Sequence, residues 1–419
     1  MKALDYRTHI LLALVAVLLS SCSSFVAIER SHHASSDSAF MHYLRSENIP
    51  VTSNNDVEIL NGAHAKFASM LDDISKAKHH VHLEYFNFRN DSINEVVISL
   101  LEKKAKEGVE VRAMFDAFGN MSNDRPLKKE HLEAIRAKGI EIVKFDPITF
   151  PWVNHTTSRD HRKIVVIDGK VGYIGGINVA DYYLRGLEGI GEWRDMHSRV
   201  EGEAVNELQK IFLDMWHKET GETIVGKEYY PEHNRTEGCE VAIVDRWPGR
   251  LPKQLRRAYA NAINSAKDSI VLINPYFMPT PIISKAIKKA LKDGVKVSIV
   301  LSEKGDIPMV PGVALRAGYR LMKKGADIHM FTGGFNHSKV MCIDGKYCTI
   351  GSTNLNSRSL RYDYEANIFV FGEEETEELN RYIELDKKES YLLTEEKYKS
   401  LSWWKRFCNW AASLLTPIL

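Results

Sequence analysis

A chain of 419 residues, 44% hydrophobic and 26% charged, has material for two domains or one large duplicated unit with an ample core. Lys plus Arg number 56 against 55 Asp plus Glu, a formal net charge of +1. A nucleic-acid polyanion as main partner calls for a clear basic excess, so no nucleic-acid partner is expected.

Lys2 and Arg7 precede an apolar run, Ile10 to Leu19, that ends in Leu19-Ser20-Ser21-Cys22. The run falls short of the roughly 20 residues that span a bilayer, but it suits the core of a signal peptide. Its last four residues look like a bacterial lipoprotein cleavage box. Residues 1–22 are therefore expected to be a lipoprotein-type signal segment, with Cys22 lipidated and the protein attached to a membrane of the bacterial cell envelope. An uncleaved anchor running on to Ile28 would place Ser20, Ser21, Ser23 and Ser24 mid-span. Residues 23–55, polar and rich in Ser and His, read as a tether. Cys239, Cys342, Cys348 and Cys408 form no C-x-x-C pair, so neither a zinc site nor a redox motif is indicated.

From Val57 the pattern becomes α/β. Periodicity predicts helices over Ala63–Lys78, Ile93–Lys106, Leu127–Lys138 and Val205–Lys218, and strands over Val81–Phe86, Val109–Phe115 and Ile140–Phe145. Gly108 and Gly139 stand where a helix-ending glycine belongs. Before the last of these helices comes HRKIVVIDGKVGYIGGIN, His161 to Asn178. It reads as a strand, an Asp168-Gly169 turn and a second strand from Val171 to Ile174.

The second half replays this order. Helices are predicted over Leu255–Ala266, Ile282–Lys292 and Val313–Lys324, and strands over Ile270–Ile273, Val295–Leu301 and Ile328–Phe331. The motif then recurs as HSKVMCIDGKYCTIGSTN, His337 to Asn354, with His337, Lys339, Asp344, Gly351, Ser352 and Asn354 at the same internal spacing. Lys106-Glu107-Gly108-Val109 matches Lys292-Asp293-Gly294-Val295, and Lys138-Gly139 matches Lys324-Gly325, both at an offset of 186. The histidines are offset by 176, so the second half has lost about ten residues before its motif.

Such self-similarity means a duplicated domain. The expected fold class is α/β: two duplicated halves, each a mixed, mostly parallel sheet flanked by helices, packed about a pseudo-twofold with the active site between them. Periodicity breaks between Gly221 and Glu237, dividing the halves into residues 56–225 and 238–395. Residues 396–419, with Trp403, Trp404, Lys405, Arg406, Phe407 and Trp410, have the character of an amphipathic membrane-interacting tail. The alternative is a helix packed on the domain.

Two His-x-Lys pairs at equivalent places in two such halves can converge, bringing His161, Lys163 and Asn178 to His337, Lys339 and Asn354. Cationic lysines and amide donors suit the non-bridging oxygens of a phosphate. One imidazole can attack phosphorus while the other, protonated, donates to the leaving oxygen. No Walker-type loop or metal-ligand cluster accompanies them, so no metal or cofactor is expected and the lysines would replace Mg²⁺.

The paired motif resembles HxKx4Dx6GSxN, the signature of the phospholipase D superfamily. The first copy departs from it at Gly176; the second is complete with Ser352. The resemblance implies two phospholipase D-like halves and a two-step mechanism through a phosphohistidine. It gives catalytic roles to His161, Lys163, Asp168, His337, Lys339 and Asp344, and phosphate binding to Asn178, Ser352 and Asn354. Turn chemistry already explains Asp168 and Asp344, for which a structural role is expected. The family also places an imidazole-orienting carboxylate after each motif. Aligning Gly202 with Gly372 puts Asp195 opposite Glu365 and His197 opposite Asn367, so Asp195 and Glu365 are the candidates.

Within the superfamily, residues 57 to 419 are similar to bacterial cardiolipin synthase. The resemblance rests on His82-Leu83-Glu84-Tyr85-Phe86, Trp193-Arg194-Asp195, Pro275-Tyr276-Phe277-Met278-Pro279, Phe331-Thr332-Gly333-Gly334-Phe335 and Arg358-Ser359-Leu360-Arg361. Such synthases usually begin with two membrane helices, in place of which this chain has one short segment. The resemblance implies a phosphatidyltransferase whose partners are phosphatidylglycerol, other membrane phospholipids and the membrane surface. An apolar site mouth is expected, because transfer competes with hydrolysis. The alternatives are a phospholipase D-type phosphodiesterase, acting as lipid hydrolase or nuclease, and a non-catalytic lipid-binding scaffold.

Overall fold

A computed structural model describes residues 35–148 and 157–417; the signal segment with Cys22 lies outside the described residues. The first half contributes β1 (Thr52–Asn61), β2 (His80–Tyr85), β3 (Glu110–Asp116), β4 (Glu141–Phe145), β5 (Lys163–Ile167), β6 (Val171–Gly175), β7 (Glu192–Arg194) and β8 (Met196–Glu201). The second contributes β9 (Cys239–Arg246), β10 (Ser269–Ile273), β11 (Lys296–Ser302), β12 (Asp327–Phe331), β13 (Gly334–Asn336), β14 (Val340–Ile343), β15 (Tyr347–Gly351), β16 (Glu365–Phe371) and β17 (Ser390–Leu392).

All but β7 and β13 join one 15-stranded sheet, ordered β17-β12-β11-β10-β14-β15-β16-β9-β1-β8-β6-β5-β2-β3-β4. Outward from the β9–β1 seam the two halves read alike, β1-β8-β6-β5-β2-β3-β4 against β9-β16-β15-β14-β10-β11-β12. The duplication has therefore folded as two copies joined edge to edge, through Thr52 opposite Val241 and Asn55 opposite Cys239. β7 and β13, one from each half, pair in parallel as a separate ribbon.

β2 shows how burial follows from this layering. All six of its residues are buried, as a strand covered on both faces requires. Val81, Leu83 and Tyr85 pack with Phe67, Met70, Val97 and Leu101 of the helices Ala63–Lys76 and Ser92–Lys106. On the opposite face, Ile164 and Val166 of β5 meet Val205 and Leu208 of the helix Ala204–Thr220.

The structure corrects the expected sheet sense. Only β2-β3-β4 and β10-β11-β12 are parallel; the other ten pairings in the large sheet are antiparallel. Strand–helix–strand units produce the parallel trios, whereas the motif hairpins β5-β6 and β14-β15 must be antiparallel.

The tether also needs correction. Residues Ser36–Ser46 form a helix that buries Phe40 and Leu44. The Phe40 ring lies 5.3 Å from Tyr347 and 5.1 Å from Phe369, so this segment is part of the second half's core. Its apolar stripe, spaced by four, is hidden in a Ser- and His-rich stretch.

The C-terminal tail is a helix packed on the body that leaves its large apolar residues exposed. The helix Trp403–Ser413 seats Asn409 and Ala412 on the body, while Trp403, Trp404, Phe407, Trp410 and the following Leu414 and Leu415 stay exposed. No helix among the described residues is long and apolar enough to cross a membrane.

Candidate active site

The two motifs meet at the junction of the halves, held by matched crossings. Asp160, just before His161, bridges in parallel to Tyr364, just before Glu365. Asn336, just before His337, pairs in β7–β13 with Arg194, just before Asp195. The His161 N–H donates to Tyr364 O at 3.0 Å and the His337 N–H to Arg194 O at 2.6 Å. Each motif histidine thus enters beside the other half's carboxylate.

The side chains follow. His161 Nδ1 lies 3.0 Å from Glu365 Oε1, and His337 Nδ1 lies 2.7 Å from Asp195 Oδ2. With Nδ1 engaged by the carboxylate, Nε2 of His161 is left for chemistry, while Nε2 of His337 lies 3.1 Å from Lys339 Nζ. The alignment that selected these carboxylates also holds in detail: Gly175 faces His197 across β6–β8, and Gly351 faces Asn367 across β15–β16.

Lys163 Nζ donates to His161 O at 2.5 Å, and Lys339 Nζ sits 2.8 Å from His337 Nδ1 and 3.6 Å from Asp195 Oδ2. Both lysines are buried. Burial lowers Lys163 to about 7, against Glu365 and with the charge of Lys339 adding to it, and burial lowers Lys339 to about 8 against Asp195 and Glu365. Burial and then Lys163 bring His161 down to about 4, and burial and then Lys339 lower His337 as well. Burial alone would raise Glu365, but His161, Lys163 and Ser352 hold it below its ordinary value. Burial raises Asp195 to about 6. Four basic groups crowded around two carboxylates make a site that gains from a bound anion.

Two of the expected phosphate ligands, Ser352 and Asn178, are engaged elsewhere. Ser352 Oγ donates to Glu365 Oε2, so it supports the carboxylate and is not turned to a phosphate. Asn178 accepts the Asn87 N–H and donates to the Tyr183 hydroxyl, whereas Asn354 Oδ1 is buried without a partner. Asp168 and Asp344 sit at the far ends of β5 and β14, on hairpin turns at φ 54° and 53°. Asp168 accepts the N–H groups of Lys78, His79 and His80, and Asp344 those of Lys267, Asp268 and Ser269. Both are turn braces, away from the histidines.

An aromatic collar surrounds the imidazoles. Phe86 stands 5.1 Å from the His161 ring. Trp193 and Phe335, each at 5.5 Å, Tyr276 at 5.8 Å and Tyr183 at 6.1 Å surround His337. Four of the five lie in the stretches quoted above for the family likeness. Tyr183 lay outside any motif, and its position comes from a short helix after β6 that the sequence did not announce.

Comparison with known proteins gives the family. The family model described as "Cardiolipin synthase, PLD-like domain" matches residues 70–216 and 259–387. Cardiolipin synthase 2 of Staphylococcus epidermidis is 34% identical over 372 residues, covering 88% of this chain and 75% of that protein. The cardiolipin synthase of Listeria monocytogenes is 35% identical over 372 residues, covering 88% and 76%. This chain belongs to the cardiolipin synthase family of phospholipase D-like proteins. The crystal structure of phosphatidylserine synthase from Haemophilus influenzae superposes with a TM-score of 0.73, over 91% of this chain and 100% of that one. At 14% identity that likeness speaks for the fold. The Gly176 departure from the superfamily signature has a local cause in this chain: the Asp195 carboxylate occupies the space a side chain there would need.

Proposed function

We propose that the protein is a phosphatidyltransferase that makes cardiolipin from two phosphatidylglycerol molecules and releases glycerol. The observation that carries this reading is the pairing of each imidazole with the opposite half's carboxylate, beside two buried lysines. Neutral His161, its Nδ1–H on Glu365, attacks the phosphorus of one phosphatidylglycerol through Nε2. The P–O bond to glycerol breaks, and His337 gives the leaving oxygen its proton. The phosphatidyl group is then on His161, and His337 is neutral. It takes the proton from the free hydroxyl of a second phosphatidylglycerol, whose oxygen attacks phosphorus and frees His161.

Lys163, Lys339 and Asn354 hold the phosphate oxygens, and binding that anion restores the lysines to full charge. The aromatic collar favours a lipid hydroxyl over water as acceptor. Attachment to the bacterial cell envelope through a lipid on Cys22, together with the C-terminal tail, belongs to the same proposal. Purified protein supplied with labelled phosphatidylglycerol vesicles should yield cardiolipin and glycerol. Phosphatidic acid without cardiolipin would make it a lipid hydrolase.

A further inference from the structure

Near-zero net charge conceals one patch of a single sign. Three neighbouring helices, Pro281–Lys292, Val310–Met322 and Trp403–Ser413, carry eight lysines and arginines and not one carboxylate. They enclose a cavity of about 120 Å³ lined by Lys288, Arg316 and Arg320, with Ser413 and Thr416 from the tail on its other side. No salt bridge engages these three cations among the described residues. Arg316 Nε is buried without a hydrogen-bond partner, a cost that a bound anion would remove.

The cavity is built against the catalytic wall. Met278 lines it, accepts the packing of Val310, Val313 and Ala412, and donates its N–H to Leu355 O, next to Asn354. Two residues earlier, Tyr276 stands against His337. The exposed tail aromatics Trp403, Trp404, Phe407 and Trp410 lie on the helix that closes the cavity, as the aromatic belt of an interfacial helix does.

We propose that the Lys288–Arg316–Arg320 cleft is a second binding site, for the phosphate of an anionic phospholipid still in its bilayer. Occupied, it would set the tail aromatics into the interface and the site mouth against the lipid surface. Anionic lipid is the occupant because an unpaired cationic cleft beside an apolar belt matches a headgroup phosphate and its acyl surroundings together. The inference rests on the reading of the protein as an enzyme of membrane phospholipids.

Flotation of the full chain with mixed phosphatidylserine–phosphatidylcholine vesicles, against pure phosphatidylcholine vesicles, tests it. The wild type should favour the anionic vesicles by at least about tenfold, from roughly 1 kcal/mol for each cation at a membrane surface. K288Q/R316Q/R320Q should lose that preference while still binding phosphatidylcholine through its aromatics. K288R/R316K/R320K, which keeps the charges, should retain it and so exclude misfolding as the cause. A preference that survives the glutamine substitutions overturns the proposal, as does its abolition by inorganic phosphate at matched ionic strength. Cardiolipin formation by the wild type in detergent micelles reads the enzymatic function separately, and its absence would defeat that reading alone.

Discussion

Gly176 and Asp195 compete for one volume: a Cβ on Gly176 would stand 2.2 Å from Asp195 Oδ1 and 2.5 Å from Oδ2. In the other half, Ser352 is accommodated because Glu365 carries its carboxylate one methylene further out and accepts the Ser352 hydroxyl. Glycine here is the partner of a short carboxylate. G176S should displace Asp195 from His337 and lower kcat for cardiolipin formation by about 100-fold, the scale of a lost acid–base contact. The pair G176S/D195E, which rebuilds the second half's arrangement, should recover part of the rate. A double variant no better than G176S would refute the coupling.

The pH profile follows from the shifts of the basic groups. His161 acts when neutral, so kcat/KM should rise as pH climbs through about 4. His337 must be protonated to serve the leaving oxygen, and burial and then Lys339 lower it, so its deprotonation should set a first fall of kcat/KM; the lysines bind phosphate when protonated, so a further fall should come as pH climbs through about 7 to 8. K163R places a cation that keeps its proton. Whatever its absolute rate, its alkaline limb should move up toward that of Lys339, which steady-state rates across pH would show.

Repetition makes much of this site legible in the sequence. The offset of 186 located equivalent helices and strands, and Gly202 with Gly372 selected Asp195 and Glu365. The crossing of each histidine to the opposite carboxylate was not legible. It depends on β1 meeting β9 and β7 meeting β13, contacts between edges that carry no local sequence mark. Strand–helix alternation likewise suggested parallel pairing, although it governs only the outer trios. The helix Ser36–Ser46 escaped because two large apolar residues, Phe40 and Leu44, do the packing in a polar stretch.

Arg162 is a further residue the motif concealed, standing between His161 and Lys163. Its guanidinium is buried, 3.3 Å from Glu84 of its own half and 2.5 Å from Asp245 of the other, and donates to Arg246 O. The second motif has Ser338 at that place, so the clamp exists once. R162M should strand two acidic groups and destabilise the fold by about 3–5 kcal/mol. A urea midpoint within error of wild type would show that the halves do not depend on this clamp.

Asp168 separates the structural reading of the third motif position from the catalytic one. β5 lies between it and Lys163, a separation of roughly 17 Å at about 3.3 Å per residue. Its carboxylate accepts three backbone N–H groups at 2.8 to 3.0 Å, fastening the lead into β2 to the hairpin turn. D168A removes those acceptors and puts alanine at a positive φ, so stability should fall by about 1–3 kcal/mol. D168N keeps one acceptor oxygen and tolerates the left-handed backbone, so its loss should be smaller. For both variants kcat per folded molecule should match wild type at a temperature well below the melting transition. A fall of 100-fold in kcat for well-folded D168N would return Asp168 to the chemistry, by a route longer than any contact it makes here.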